Sequence, residues 1–406
     1  MASGLTYLAV NINTQSFWDS LVSSTKLAGR SLTERFYQPE LDVLRFFSFF
    51  LIFVHHSFPH DPAFYTHLGV GHVFASLLAG LAGAGAYGVQ LFFLLSSYLV
   101  TELLIRERAS RGDIDLKAFY IRRVLRIWPL YLFFLALAWA MQWLVPGQQI
   151  GWRALLAFIF LCGNWWIVFV GFPSSVIFHL WFVSLQEQFY LFWPTAMRKL
   201  TERGMLRISA VLLAIATSAR WYLAVHHTWE SKLWCNTFVQ LDAIALGIIL
   251  AVVLRGRAPR FSPLFRSALF IAGFICFILA ASYFRIKDDP LTIQRVVLGY
   301  PVAALGAAGL FLATLRPKAT LPKNPFVYLG QISYGLYVFH ILGLMISDYT
   351  VHDSTASLGR YLARNTIAFA ITVSLAAISY RWLESPFLSL KQRFTRVLSR
   401  PAMRQA

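Results

Sequence analysis

The sequence predicts an all-α polytopic membrane protein, with about ten transmembrane helices plus one re-entrant segment and both termini cytoplasmic. Three observations carry that prediction. Hydrophobic residues form 58% of the chain and charged residues only 13%, whereas a soluble domain carries roughly a quarter charged. Apolar runs of bilayer length recur along the chain, and the basic residues gather in the links between them. The mean hydropathy of +0.59 agrees. A formal net charge of +18 raises nucleic acid as a partner. Cations segregated between apolar runs set topology instead, so no nucleic-acid partner is expected. Cys162, Cys235 and Cys276 sit in or beside apolar segments, without metal-ligand or disulfide spacing.

Residues 1–38 read as a cytoplasmic tail or surface helix. They lack the basic n-region and short apolar core of a cleavable signal, and Phe17, Trp18, Leu21 and Leu27 are scattered among polar residues. The transmembrane domain is placed at 39–388. Its apolar runs fall at 41–59, 84–105, 127–145, 154–171, 178–197, 206–225, 236–254, 265–284, 296–315, 328–347 and 364–383, each able or nearly able to span a bilayer. The link at 106–126 holds seven Lys or Arg against three acids. Arg198, Lys199, Arg203 and Arg207 mark the next basic link, and Arg255, Arg257, Arg260 and Arg266 the one after it. Arg316, Lys318 and Lys323 follow. A basic cytoplasmic tail at 389–406 adds Lys391, Arg393, Arg396, Arg400 and Arg404. The positive-inside rule puts all of these on one side.

Parity then fails once, because three runs separate two links that must share a side. The run at 154–171, interrupted by Gly163-Asn164-Trp165-Trp166, is the one expected not to cross; such a re-entrant piece is tolerated where protein or a cavity surrounds it. The stretch 67–83, rich in Gly, Ala and Leu, reads as an outer-surface or interfacial helix.

Ionisable groups inside a bilayer are expensive and mark functional sites. Arg45 and His56 lie on nearly the same face of the first span, about 16 Å apart along its axis. A neutral imidazole there is the form a general base needs; the structural alternative is a helix-packing histidine. Asp42, three residues before Arg45, is expected to pair with it. Glu187, flanked by Gln186 and Gln188 near the middle of its run, is expected to reach the depth of His56 and to orient its ring, or else to lock helices together as a neutral acid. His179 at the outer mouth and His340 in mid-run each face a pore or pack as satisfied core histidines. Arg123 and Arg126 share a helix face beside the bilayer. Clustered guanidinium groups there suit phosphate; contact with anionic lipid head groups competes, and taken alone the pair reads as ordinary topogenic charge. His56 and His60 have helical metal spacing, but Pro59 ends the run and no carboxylate supports it, so no metal is expected. No Gly-x-Ser-x-Gly, P-loop or Rossmann glycine motif is present.

These pieces occur together, in order, in the acyltransferase-3 family of bacterial integral-membrane O-acyltransferases, which the chain resembles from about 38 to about 388. The matching pieces are Glu40-Leu41-Asp42-Val43-Leu44-Arg45 with ten residues before His56, Gly88 to Ser96, and Arg123-Val-Leu-Arg126-Ile-Trp-Pro-Leu-Tyr131. They continue with His179-Leu-Trp181 to Gln186-Glu187-Gln188-Phe189-Tyr190 and on to Pro194, Leu241-Asp242 to Gly247, Leu329 to Tyr334 and His340, and Ser379-Tyr380-Arg381 to Glu384-Ser-Pro386. The resemblance implies acyl transfer, commonly of acetyl, from cytoplasmic acyl-CoA (acetyl-CoA) to a carbohydrate or glycolipid hydroxyl, in a multi-pass protein of the bacterial inner membrane. It implies catalytic roles for Arg45, His56 and Glu187, and donor contacts for Arg123, Arg126 and Tyr131. His179, Tyr190 and His340 are then placed along the acceptor channel. The chain departs from the family at Gln186, where a second glutamate is common, and at Gln90 and Ser97, where Asp and Gly are common; the last two are expected to alter the channel. With no serine-hydrolase domain after the last run, a second transfer step would use a separate periplasmic transferase. The rival reading is an exporter of a glycolipid or polysaccharide precursor driven by an Arg45, His56 and Glu187 proton relay. It would expect related halves, which the sequence lacks.

Overall fold

The computed structural model describes residues 36–287, 291–316, 324–351, 355 and 357–395. The expected N-terminal tail up to residue 35, and Lys318, Lys323, Arg396, Arg400 and Arg404, lie outside the described residues. Among the described residues all regular structure is helical, which keeps backbone hydrogen bonds within each segment, as a bilayer demands.

Helix α1 (Pro39–Ser57) starts at a proline whose fixed φ suits the first helical position, with Glu40 and Asp42 in the first turn where the helix dipole favours acids. His55 and His56 lie in its last turn. A short α2 (Pro62–His67) is capped by Asp61, which accepts from Ala63 N–H at 2.9 Å. Helix α3 (His72–Ala84) runs through the turn Gly85–Tyr87 into α4 (Gly88–Arg111), giving one rod of 40 residues. The expected outer-surface helix at 67–83 is therefore the extension of a span. Ala75, Ala79, Ala82 and Ala84 bury its small face. At Gly85 the rod approaches α1 so closely that a Cβ would sit 3.0 Å from the His55 backbone nitrogen. Helix α4 is the axis of the protein, with Leu91, Phe93, Leu94, Leu95 and Tyr98 fully buried.

Helix α5 (Leu116–Met141) is capped by Asp115. The run at 154–171 is broken as expected, but at Phe160-Leu161-Cys162 rather than at Gly163: α6 (Trp152–Ile159) and α7 (Gly163–Phe169) meet where Leu161 takes φ 58°. A tight turn, Phe178–Leu180, leads into α8 (Trp181–Lys199). Arg108 caps the end of α8, donating to the carbonyls of Met197 at 2.9 Å and Leu200 at 2.6 Å. Then come α9 (Glu202–Val225), α10 (Glu230–Trp234) and α11 (Leu241–Leu254). Helix α12 (Pro263–Ile278) continues into a wider turn, Leu279–Tyr283, and is followed by α13 (Ile293–Thr314). Helices α14 (Pro325–Gln331) and α15 (Ser333–Thr350) meet at 81°. Helix α16 (Leu358–Ser379), a wider turn at Tyr380–Glu384 and α17 (Ser385–Gln392) complete the described fold.

Six helices are long and apolar enough to cross a membrane, or seven if the bent pair α14 and α15 is one span. The protein is thus a helical, multi-pass type of chain, with fewer full-length spans among the described residues than the ten expected. The boundary expected at 388/389 falls inside α17. What was taken as a tail contributes to the fold: Arg122 Nη1 donates to the carbonyl of Phe394 at 2.7 Å.

Candidate active site

Helix α1 carries a different polar cluster at each end. At its start, Arg45 opens onto a cavity of about 170 Å³ that it shares with Arg122, Arg123 and Arg126 of α5 and Lys391 of α17. These cations are differently committed. Arg45 Nη1 donates to Asp42 Oδ1 at 2.7 Å, the pairing expected from their spacing. Arg122 is held by Glu107 Oε2 at 3.1 Å as well as by Phe394. Glu384, buried on the wider turn before α17, acts electrostatically on Arg126. Arg123 is held by rings instead, its Cζ 4.2 Å from the centroid of Tyr190 and 5.3 Å from that of Phe119. No carboxylate hydrogen-bonds it among the described residues. A guanidinium braced on aromatic faces, with its N–H fork uncommitted, is built to take a phosphate.

At the far end of α1 lies a file of imidazoles. His60 stacks on His55 at 4.3 Å between centroids, His55 meets His56 at 5.2 Å, His56 meets His340 at 5.0 Å and His340 meets His179 at 4.8 Å. Backbone carbonyls fix the neutral tautomers. His340 Nδ1 is 2.5 Å from the carbonyl oxygen of Tyr337 and so carries the proton, leaving a lone pair on Nε2. That Nε2 is 3.2 Å from His56 Nδ1, which also lies 3.0 Å from the carbonyl of Ile52. Both neighbours of His56 Nδ1 are acceptors. The proton therefore sits on Nδ1, and the lone pair of His56 is on Nε2. His179 Nε2 donates to the carbonyl of Val338 at 3.2 Å, and the Tyr337 hydroxyl donates to the carbonyl of His179. His55 Nδ1 donates to the carbonyl of Ala82 at 3.2 Å, and its Nε2 accepts from Lys287 Nζ at 3.1 Å.

His179 and His340 are thus brought to His56 from two other elements. Glu187 is not. Its depth was matched to His56 on the premise that His56 lies halfway through the bilayer, but α1 ends one residue after it. The partner of His56 in depth is His179, and Glu187 lies eight positions, about 12 Å, further along that helix. There it feels the charge of Arg123. Tyr190, like Glu187, lies towards Arg123 without lining the cavity: it is the ring under that guanidinium. Tyr131 lies outside that cavity: it is fully buried, and its hydroxyl donates to the carbonyl of Phe158 at 2.7 Å, bracing the broken pair α6 and α7. Gln90 bridges to Gln240 Oε1 at 2.5 Å, and Ser97 bonds back to the carbonyl of Phe93 at 2.9 Å. Both are buried on the α4 axis. His60 stacks on His55. Reading by spacing missed Lys287 and Glu384, since neither falls at a helical interval from another candidate.

Comparison with known proteins identifies the family. A family model described as an acyltransferase domain matches residues 38–381. The chain belongs to the acyltransferase-3 family. It is 26% identical over 339 residues to the O-acetyltransferase OatA of Staphylococcus aureus (strain NCTC 8325 / PS 47), covering 78% of this chain and 55% of that protein. The "Putative O-acetyltransferase" of Staphylococcus aureus strain COL is 26% identical over 325 residues, covering 75% of this chain and 52% of that protein. The chain therefore spans about half the length of the curated relatives it matches. No solved structure matches it.

Proposed function

We propose that this protein is a membrane O-acyltransferase, moving acetyl from cytoplasmic acetyl-CoA to a hydroxyl of a carbohydrate or glycolipid acceptor beyond the bilayer. The observation that carries the reading is that His56 Nδ1 lies 3.0 Å from the carbonyl of Ile52 and 3.2 Å from His340 Nε2, from which the tautomer is assigned. Nδ1–H is spent on Ile52 and His340, so the basic nitrogen Nε2 is the one left for chemistry. In this reading the phosphates of CoA rest on Arg123 and Arg126, with Arg45 at the same opening, and the basic end faces the cytoplasm. The thioester threads along α1 towards His56. The separation of about 16 Å suits an extended pantetheine arm.

The reaction then needs one base. His56 Nε2 takes the proton of the acceptor hydroxyl as its oxygen attacks the thioester carbonyl carbon. The tetrahedral intermediate collapses, the C–S bond breaks, and the departing thiolate takes the proton from the imidazolium. The products are the ester and free CoA. His340 is a positioning residue: its Nε2 accepts from His56 Nδ1 and steadies the imidazolium. The full topology of ten crossings with both termini inside, in a bacterial inner membrane, belongs to the same proposal.

Purified protein in liposomes, given labelled acetyl-CoA and a glycan acceptor, tests it. His56→Ala should abolish transfer while the protein stays folded, and undiminished transfer would remove His56 as the base. The file of five rings also favours a second reading, a proton-coupled exporter. That reading predicts flux of an unmodified glycolipid, and label appearing on the acceptor rules against it.

A further inference from the structure

Past the imidazole file lies a second cavity of about 420 Å³, between the end of α1, α3 and the stretch that follows α12. Its size falls within the about 300–1,000 Å³ usual for small-molecule sites. Lys287, Arg285, His55 and His60 line it, with the hydroxyls of Ser76 and Ser282. No carboxylate lines it among the described residues. Lys287 is held in an unusual way. Its ammonium donates to His55 Nε2 at 3.1 Å and lies 4.6 Å from the centroid of the Trp234 ring. A neutral imidazole and an indole face fix its position without cancelling its charge. A cation so placed in a partly desolvated cavity gains most from an anionic ligand. Gly80 and Gly83 let α3 close on the turn after α12: a Cβ there would sit 3.1 Å from Ser282 Oγ and 3.4 Å from Ala281 Cβ.

We infer that this cavity receives the acceptor, and that it selects a saccharide bearing an anionic group, a carboxylate or a phosphate ester, near the hydroxyl to be acylated. The inference rests on the transfer reading above and adds the acceptor's class to it. Lys287 would take the anion, while the hydroxyls of Ser76 and Ser282 meet sugar hydroxyls. His55 is both a wall of the cavity and the ring beside His56. A saccharide anchored there would have to reach past the His55 ring to bring a hydroxyl to His56.

The test uses the whole chain in phosphatidylcholine nanodiscs, with a panel of carboxylated, phosphorylated and neutral oligosaccharides of matched length. The expected result is binding of anionic members at least about tenfold tighter than their neutral counterparts, as a charge-assisted contact would give. Lys287→Gln should erase that preference and Lys287→Arg keep it. Equal affinity for neutral and anionic glycans in the unmodified protein, or no binding of any anionic glycan, overturns the inference even if the variants fail to fold. Lys287-dependent binding of short-chain phosphatidylglycerol without glycan preference assigns the cavity to a lipid headgroup and also overturns it. Acetyl-CoA binding, measured separately on the same discs, reports the donor end. Its absence beside an intact anionic preference breaks the transfer reading and leaves the acceptor class standing.

Discussion

His340→Phe isolates the contact on which the chemistry turns. Phenylalanine keeps a ring in a fully buried site, where His340 sits edge-on to Phe49 at 6.1 Å, but it offers no lone pair to His56. The hydrogen bond lost is the 3.2 Å contact from His56 Nδ1. Between neutral partners such a bond is worth about 1 kcal/mol, and about 1.5–3 kcal/mol once one partner is charged. Only the difference, about 0.5–2 kcal/mol, is spent in the transition state, where His56 becomes an imidazolium. At about 1.36 kcal/mol per decade this lowers kcat by about 2- to 30-fold. The KM for acetyl-CoA should stay unchanged, because the arginine cavity lies at the opposite end of α1. His340→Gln, whose side-chain carbonyl can accept from Nδ1–H, should recover part of the loss. The assay is single-turnover acetyl transfer in liposomes, with thermal unfolding to confirm folding. A folded His340→Phe protein with undiminished kcat would refute both the tautomer assignment and the role of Nε2.

Arg123→Ala should raise the KM for acetyl-CoA by about 10- to 100-fold, the value of one charge-assisted contact, with little effect on Tm; unchanged donor affinity by steady-state kinetics would count against the donor site. Arg122→Ala should do the reverse, lowering Tm, because it leaves buried Glu107 without its ion pair. Arg220, fully buried, donates to Asp242 Oδ2 at 2.6 Å. Arg220→Leu should therefore destabilise by about 3–5 kcal/mol, and Arg220→Leu with Asp242→Leu should regain most of it, as read by denaturant unfolding in detergent. At the exposed basic surface, a hydrogen bond from Arg198 holds the Asp113 carboxyl below its usual range. A lowered folded-state pKa gives stability that is present above the unfolded value, about 3.9, and is lost as pH falls through the folded one. Arg198→Ala should thus weaken the fold slightly at neutral pH and not at all in acid; a deficit independent of pH would exclude the pair as its cause.

Much of the fold was legible in the sequence because bilayer spans announce themselves by length and apolarity. What was misjudged follows from the same rule. Helices α1, α8 and α11 are absent from the set that passes the length and apolarity test. Helix α1 carries Glu40, Asp42, Arg45 and two histidines, α8 carries Gln186, Glu187 and Gln188, and α11 is 14 residues long. Polar chemistry dilutes the hydropathy of the elements that hold it. Depth was the weaker inference. The first run, drawn to 59, ends two residues past Ser57, so His56 sits near the end of its helix, beside the turn that carries His179. Tautomers and cavities were beyond reach, since they depend on carbonyls such as Tyr337 and Ile52 that no side-chain pattern encodes.

The placement of Arg45 changes what the Arg-to-His spacing means. Read from sequence, the two residues share a stripe and invite a common catalytic role. In the structure Arg45 faces Asp42 and the arginine cavity, while His56 faces His340, His55 and Phe178. About 16 Å of helix is too far for either group to influence the other's proton through a hydrogen bond. In the proposed reaction a fixed interval on one rigid helix does something else: it would hold a donor anchor and a reactive nitrogen at a set distance. A long, flexible donor held at its phosphates then presents its far end at one height only. Inserting one residue between Arg45 and His56 would rotate one group about 100° against the other and add about 1.5 Å. Transfer should collapse while acetyl-CoA still binds; a pairwise catalytic contact would predict instead that Arg45→Lys is tolerated only when the spacing is kept.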